Sequence, residues 1–246
     1  MIQGIIAIGF LIATLLVGLF FGYLYSLKRQ AYLLYWTVAW ILYALHLLPN
    51  ALEPWRGTDA TLLALNQGLY GIAGVAFFLG TQSYTHKKLH LLAAIGAAAV
   101  LAVWSGANAY QLLALPAVVP GSLIYVAVGY LFWRESYRNE SVADQLLAFA
   151  FALWGGLELI GRVLPAARAI PGQGLFILSV IPTIFVSMLL SVAIYEEEKR
   201  RVERNMLALS NLNLATSSFV GGEIQRMLAQ ALDRVLGVVR LPAGSP

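Results

Sequence analysis

Seven stretches of predominantly apolar residues, at 2–27, 31–48, 61–84, 89–107, 112–133, 146–164 and 174–195, follow one another with short connections between them. A run of about 20 such residues is long enough to cross the hydrocarbon core of a bilayer as a helix. In lipid the backbone has no water to bond, so each run must close its hydrogen bonds within itself. The feature predicts an all-α membrane protein, a seven-transmembrane-helix bundle. Composition agrees, because 60% of the residues are hydrophobic, only 11% are charged and the mean hydropathy is +0.75.

The basic residues sort by connection. Lys28 and Arg29 follow the first stretch, Lys87 and Lys88 the third, Arg134 and Arg138 the fifth, and Lys199, Arg200, Arg201 and Arg204 the seventh. The alternate connections hold only Arg56 and Arg168, with Arg162 just inside a stretch. Cytoplasmic loops carry the excess of Lys and Arg, which predicts an outer N-terminus and a cytoplasmic C-terminus. Basic clusters spaced in this way are a topology signal rather than a nucleic-acid footprint. The first stretch has no basic segment before it and no small-residue cleavage site, so it is expected to be retained. Cysteine is absent, which excludes disulfides, thiolate metal sites and cysteine nucleophiles.

At the ends of the stretches, Tyr23, Tyr25, Tyr84 and Trp133 fall on the cytoplasmic side and Trp55, Trp104 and Tyr110 near the outer face, as interfacial anchors do. Pro116 and Pro120 in the fifth stretch and Pro182 in the seventh each lack a backbone donor, so bends are expected there. Gly71, Gly74, Gly96, Gly155 and Gly156, with Ala97, Ala98 and Ala99, permit helices to approach closely.

After Tyr195 the composition changes to EEEKRRVERNMLALSNLNL, with no Pro or Gly after Pro182 to separate the two. A rod of this kind can pass movement from membrane to cytoplasm, with Pro182 a candidate hinge. Val202, Met206, Leu209 and Asn213 alternate in steps of four and three, the pattern of a coiled-coil seam with a polar residue at one core position. A parallel homodimer and an amphipathic helix lying on the membrane both fit. A second amphipathic helix is expected from about residue 222 to 238, with Ile224, Met227, Leu228, Ala231, Leu232 and Val235 on one face.

The segment LSNLNLATSSFVGGEIQRMLAQALDRVLGVVRLPAG resembles the connecting helix and opening helix of a bacterial GAF domain. With seven apolar stretches ahead of it, the chain is similar to the N-terminal sensory region of bacterial seven-helix receptors joined to histidine kinases or diguanylate cyclases. The resemblance implies a sensor domain over 1–195, a cytoplasmic signalling helix or coiled coil over 196–217, and the opening of a GAF-like domain over 218–246. It also implies a multi-pass protein of the bacterial inner membrane, with an output enzyme beyond Pro246.

Ionisable residues inside a membrane span are costly and are functional candidates by default. Glu158 and Arg162 lie four apart in the sixth stretch, on the helix face that also carries Trp154. His46 and Tyr43 near the outer end of the second stretch, with Trp40 deeper, and Asn66, Gln67 and Tyr70 near the outer start of the third reach the same level. If these faces meet, they form a ligand pocket with aromatic walls and a few polar groups. The alternative is structural, an ion pair and interhelical hydrogen bonds that pin the bundle.

No lysine falls in the seventh stretch, which excludes a retinal Schiff base. His86 and His90 lie opposite in depth to His46 and lack a third ligand, so no metal site is expected. There is no phosphate loop, no G-x-S-x-G and no H-E-x-x-H, so neither catalysis nor a cofactor is expected. The preferred reading is a sensory input module that responds to a small-molecule or lipid ligand or to the bilayer itself. A small seven-helix metabolite transporter and a passive membrane anchor are the alternatives.

Overall fold

Backbone polar groups in apolar surroundings need internal partners, and among the described residues helices supply them. The computed structural model describes residues 2–56, 59–85, 90–112, 116, 118–163 and 172–239, with 2–4, 53–56, 161–163, 172–179, 215, 217–220 and 235–239 described by backbone alone. The described residues form α1 (Ile2–Lys28), α2 (Ala31–His46), α3 (Leu48–Arg56), α4 (Ala60–Tyr84), α5 (Leu91–Ala109), α6 (Val118–Asn139), α7 (Val142–Val163) and α8 (Gly172–Val239), and no strand. Six helical segments are long and apolar enough to cross a membrane: Ile5–Lys28, Ala31–Leu52, Ala60–Tyr84, Leu91–Ala109, Val142–Ile160 and Val180–Leu214. α6 is not among them. The length and composition of the six mark a multi-pass membrane protein. The chain divides into two compact units, Met1–Ala193 and Ile194–Pro246.

In the first unit α4 is the central helix, packed against α2, α5 and α6, while α7 packs on α6 and α1 on α2 and α3. Residues around nearly the whole circumference of α4 are buried between Asn66 and Tyr84, so its pattern lacks a polar face. Glycines make room for large neighbours. A Cβ on Gly80 would sit 2.3 Å from the Trp36 ring, and one on Gly74 would sit 2.9 Å from Tyr125. Between α6 and α7 the backbones themselves approach, because a Cβ on Gly155 would lie 2.6 Å from the Ser122 carbonyl oxygen and one on Gly129 would lie 2.7 Å from that of Ala148. Gly71 is likewise in contact, with Leu101, whereas Gly96 and Gly156 have open space beside them. The outward faces of α1 and α5 carry exposed Leu16, Leu19, Leu92, Ile95 and Val103, a surface suited to lipid.

Helix ends follow local chemistry. Asp59 caps α4 by accepting from the Thr61 amide at 3.1 Å. Ser141 precedes α7, its Oγ accepting from the Asp144 amide at 3.1 Å, the S-x-x-D arrangement of a capping box. Arg29 and Glu140, at φ 53° and 50°, take left-handed turns that let α1 reverse into α2 and α6 into α7.

Three features differ from the sequence reading. Pro116 precedes α6 and Pro120 lies in its first turn, where an amide needs no intrahelical partner, so these prolines open a helix instead of bending one. The residues after His46 form α3 instead of a loop, with Pro49 in its first turn. α8 runs on through Gly221 and Gly222 to Val239, so the expected second amphipathic helix is the last part of this one. A glycine costs a helix about 1 kcal/mol relative to alanine, too little for two of them to end it in the absence of a proline.

The second unit is helical to Val239. Arg204 pairs with Glu197 at 3.0 Å and Arg200 with Glu197 at 3.4 Å. Val202, Met206, Leu209 and Asn213 are exposed along it, as are Ile224, Met227, Leu228 and Leu232. The segment 240–246, which ends the GAF-like resemblance, lies outside the described residues.

Candidate functional site

The buried stripe of α2, Tyr32, Trp36, Trp40, Tyr43 and His46, recurs every three or four residues and turns one aromatic face toward the centre of the first unit. Tyr43 is the point where four helices meet. Its ring lies 4.8 Å from Trp154 of α7, edge to face, 6.4 Å from Tyr70 of α4 and 6.2 Å from Trp40. Its hydroxyl shares a hydrogen bond of 3.4 Å with Thr183 of α8, the residue after Pro182. Trp154 and Trp40 stack at 6.2 Å.

One turn beyond Tyr43, the His46 Nδ1 donates to the Tyr43 carbonyl, and its ring stands 4.3 Å from Tyr43 and 5.7 Å from Tyr70. Asn66 crosses from α4, donating from Nδ2 to the His46 carbonyl at 2.6 Å and to Asn50 Oδ1 at 3.2 Å. This ties α4 to the end of α2 and to α3. Glu158 is half-buried one turn after Trp154, and its carboxylate lies within electrostatic reach of the Tyr43 and Tyr125 hydroxyls. Gln67 is buried beside Asn66 in the chain, and its Oε1 has no hydrogen-bond partner among the described residues. The Arg162 side chain lies outside the described residues, so its pairing with Glu158 does too.

Of the sequence candidates, Trp40, Tyr43, His46, Asn66, Tyr70 and Trp154 therefore come together, with Glu158 at their edge. Two participants were missed. Tyr125 of α6 stacks on Tyr70 at 4.8 Å, donates to the Tyr70 carbonyl at 3.2 Å and lies 4.6 Å from Trp154. Thr183 is the other. Tyr125 sits in an apolar stretch without a polar neighbour; the available signal was its seven-residue spacing from Phe132, which puts two aromatic rings on one face of α6.

The rings continue past the cluster. Trp40 meets Phe77 at 5.1 Å, Phe77 meets Phe151 at 5.6 Å, Phe151 stacks on Phe132 at 5.8 Å, and Phe132 meets Trp36 at 6.4 Å. Trp36 then meets Tyr84 at 5.5 Å, whose hydroxyl donates to Asp144 Oδ1 at 3.3 Å. Trp36, Trp40, Tyr43, Phe77, Tyr125, Phe132, Phe151 and Trp154 are all at most 1% exposed. The residues read as pocket walls thus fill the centre of the unit with ring against ring, each pair worth about 0.5–1.5 kcal/mol beyond area burial. Of its polar atoms, those of Tyr43, His46, Asn66 and Tyr125 bond to Thr183, Asn50 or backbone carbonyls, whereas the indole nitrogens of Trp36 and Trp40 have no hydrogen-bond partner among the described residues.

Pro182 lies inside α8 and is buried, while Val202, Met206, Leu209 and Asn213 lie further along the same helix. His90 precedes α5, and His86 lies outside the described residues. Among the described residues no three His, Asp or Glu side chains converge on a point where a metal could bind. No protein-family model, no curated protein and no solved structure matches the chain.

Proposed function

We propose that the chain is the membrane-embedded input module of a bacterial signal-transduction receptor. Seven helices cross the inner membrane, α6 included, with the N-terminus outside and the C-terminus in the cytoplasm. A small molecule, a lipid or a change in the bilayer acts on the cluster of Tyr43, His46, Tyr70, Trp154 and Glu158. α8 carries the effect to a parallel homodimer seam at Val202, Met206, Leu209 and Asn213, and on to a cytoplasmic output domain.

The observation that carries this reading is the Tyr43–Thr183 hydrogen bond beside Pro182. Proline removes one ladder bond and frees the carbonyl four residues earlier, so α8 bends most easily at the turn that touches the cluster. A ligand that alters Tyr43 differs in its contacts with the bent and the straight helix, the condition for shifting a two-state equilibrium. A transporter needs a passage at the midplane, and the fully buried Trp40, Phe77, Tyr125 and Trp154 leave that reading without support.

Because the chain has no cysteine, single cysteines report the seam directly. Cysteines at Val202, Met206, Leu209 and Asn213 should cross-link strongly in native membranes, and Arg201 and Leu207 weakly. Leu209→Asp should abolish the pattern, and Glu158→Gln should change its rates. Equal cross-linking at all six positions would remove the dimer seam. A clear pattern unmoved by Glu158→Gln would reduce the bundle to an anchor.

A further inference from the structure

Away from the Tyr43 cluster, α5 and α6 both pack on α4 and leave a cleft between them. Its volume is about 350 Å³, at the lower end of the range for small-molecule sites. Val75 from α4, Ala94 and Ala97 from α5, and Ile124 from α6 give it apolar walls. In a bilayer hydrocarbon fills such a cleft, and apolar walls alone do not select one molecule over another.

Two polar side chains break the lining, Gln82 in the last turn of α4 and His90, which precedes α5. Gln82 is nine-tenths buried, and its Oε1 has no hydrogen-bond partner among the described residues. An amide oxygen only accepts, so whatever completes it must bring an O–H or N–H. Leaving a buried acceptor empty is costly, and more so where lipid replaces water. Phosphatidylcholine has no donor to offer, and an ionised carboxylate or phosphate only accepts. An ammonium group donates, but no carboxylate is among the described residues that line the cleft, and an unpaired charge is expensive at membrane depth. A neutral hydroxyl meets the need. It donates one hydrogen bond and accepts another, and the second can come from an imidazole N–H such as that of His90.

We propose that the cleft between α4, α5 and α6 binds a neutral single-chain lipid with a hydroxyl head. The hydroxyl donates to Gln82 Oε1 and accepts from the His90 imidazole, and the chain lies along Ala94, Ala97 and Ile124. A cleft of this volume takes one hydrocarbon chain rather than two. The site is independent of the Tyr43 cluster and of the receptor reading.

The test uses the full chain in phosphatidylcholine nanodiscs, labelled with a photoactivatable hexadecanol analogue that carries a diazirine in its chain. Labelling should concentrate on the peptides containing Ala94, Ala97 and Ile124. Hexadecanol should compete, and its methyl ether, which keeps the chain and the oxygen but has no donor, should compete about fivefold less well, the worth of one neutral hydrogen bond. Hexadecylamine, a cation at neutral pH, should also compete less well than the alcohol. Gln82→Met keeps the side-chain length and removes the acceptor, so it should erase the difference between alcohol and ether. That difference is a ratio taken within one variant, which a general loss of affinity does not imitate. Gln82→Leu serves if the methionine variant fails to elute as a folded species on size exclusion. Ala97→Phe should reduce labelling by filling the slot. Labelling spread evenly over the apolar helices, or a ratio of alcohol to ether unchanged by the Gln82 substitution, would overturn the site. Equal competition by the ether in the unsubstituted protein would overturn the hydroxyl, and equal competition by the amine would overturn the neutral head.

Discussion

Gly155 and Gly156 are adjacent on α7, yet the structure assigns them opposite responses to one added methyl group. A Cβ at Gly155 would stand 2.6 Å from the Ser122 carbonyl oxygen, 3.0 Å from Val126 Cγ2 and 3.2 Å from Tyr125 Cβ. An ordinary contact begins at 3.4 Å, so α7 would have to retreat from α6 by roughly 0.8 Å. The obstructing atom is backbone and has no rotamer with which to yield. Overpacking of this kind costs about 1–3 kcal/mol, and here it also pulls Trp154 away from the Tyr125 ring, 4.6 Å distant. At Gly156 nothing lies within 4 Å of the added carbon. Both variants gain the helix preference of alanine over glycine, up to about 1 kcal/mol. Gly156→Ala should therefore be neutral or stabilising, and Gly155→Ala should be less stable than it by about 2 kcal/mol. Thermal unfolding in detergent, followed by tryptophan fluorescence, reads the difference as about 4–8 °C in Tm for a chain of this size. Equal midpoints would refute the close α6–α7 crossing, and with it the contact between Trp154 and Tyr125.

Asp144 is completely buried, donates its amide to the Ser141 hydroxyl that precedes α7 and accepts from the Tyr84 hydroxyl. Asp144→Ala should cost about 1–3 kcal/mol in the same unfolding assay and Asp144→Asn, which keeps an acceptor, clearly less; equal losses would mean that the hydrogen bonds contribute nothing. Phe77 is fully buried with four rings within about 6 Å, so Phe77→Ala should cost about 3–5 kcal/mol, whereas Phe149→Ala on the exposed side of α7 should change stability by no more than about 0.5 kcal/mol. Similar losses at the two positions would place Phe77 in a loosely filled region.

How far the sequence foretold this arrangement depends on which interactions decide each part. Run length marks the six helices that are long and apolar enough to cross a bilayer, because a bilayer imposes one thickness on every span, whereas the run at 112–133 leads to α6, which is not among them. Helix ends obey shorter-range rules, and the bends expected at Pro116 and Pro120 are absent for that reason: the same residue that bends a helix from inside opens one when it falls just before it or in its first turn. Gly221 and Gly222 misled in the opposite direction, since glycine without proline only taxes a helix. For the site, periodicity was sufficient on α2, where Trp36, Trp40, Tyr43 and His46 share a face whatever that face meets. The partner faces were not legible. Gly74 lets Tyr125 in against α4, and Gly121 lets Tyr70 in against α6, with a Cβ there only 3.0 Å from the Tyr70 ring. Which of several glycines receives which ring is a tertiary choice that no single helix records.

The aromatic column bears on how a stimulus at Tyr43 could travel. Densely packed rings do not deform continuously, and they respond by stepping between discrete packings or not at all. From Tyr43 two routes leave the cluster. One passes from ring to ring to Tyr84 and Asp144, at the shortest through Trp154, Phe151 and Phe132, four aromatic contacts that must repack to move the far end. The other is a single hydrogen bond to Thr183, on a helix already weakened by Pro182 one residue earlier. A step that breaks one bond of about 1 kcal/mol costs far less than one that repacks several ring pairs at about 0.5–1.5 kcal/mol each. Under the proposed function the column is therefore the fixed frame against which α8 moves, and the ring column and the proline turn of α8 meet at the same tyrosine.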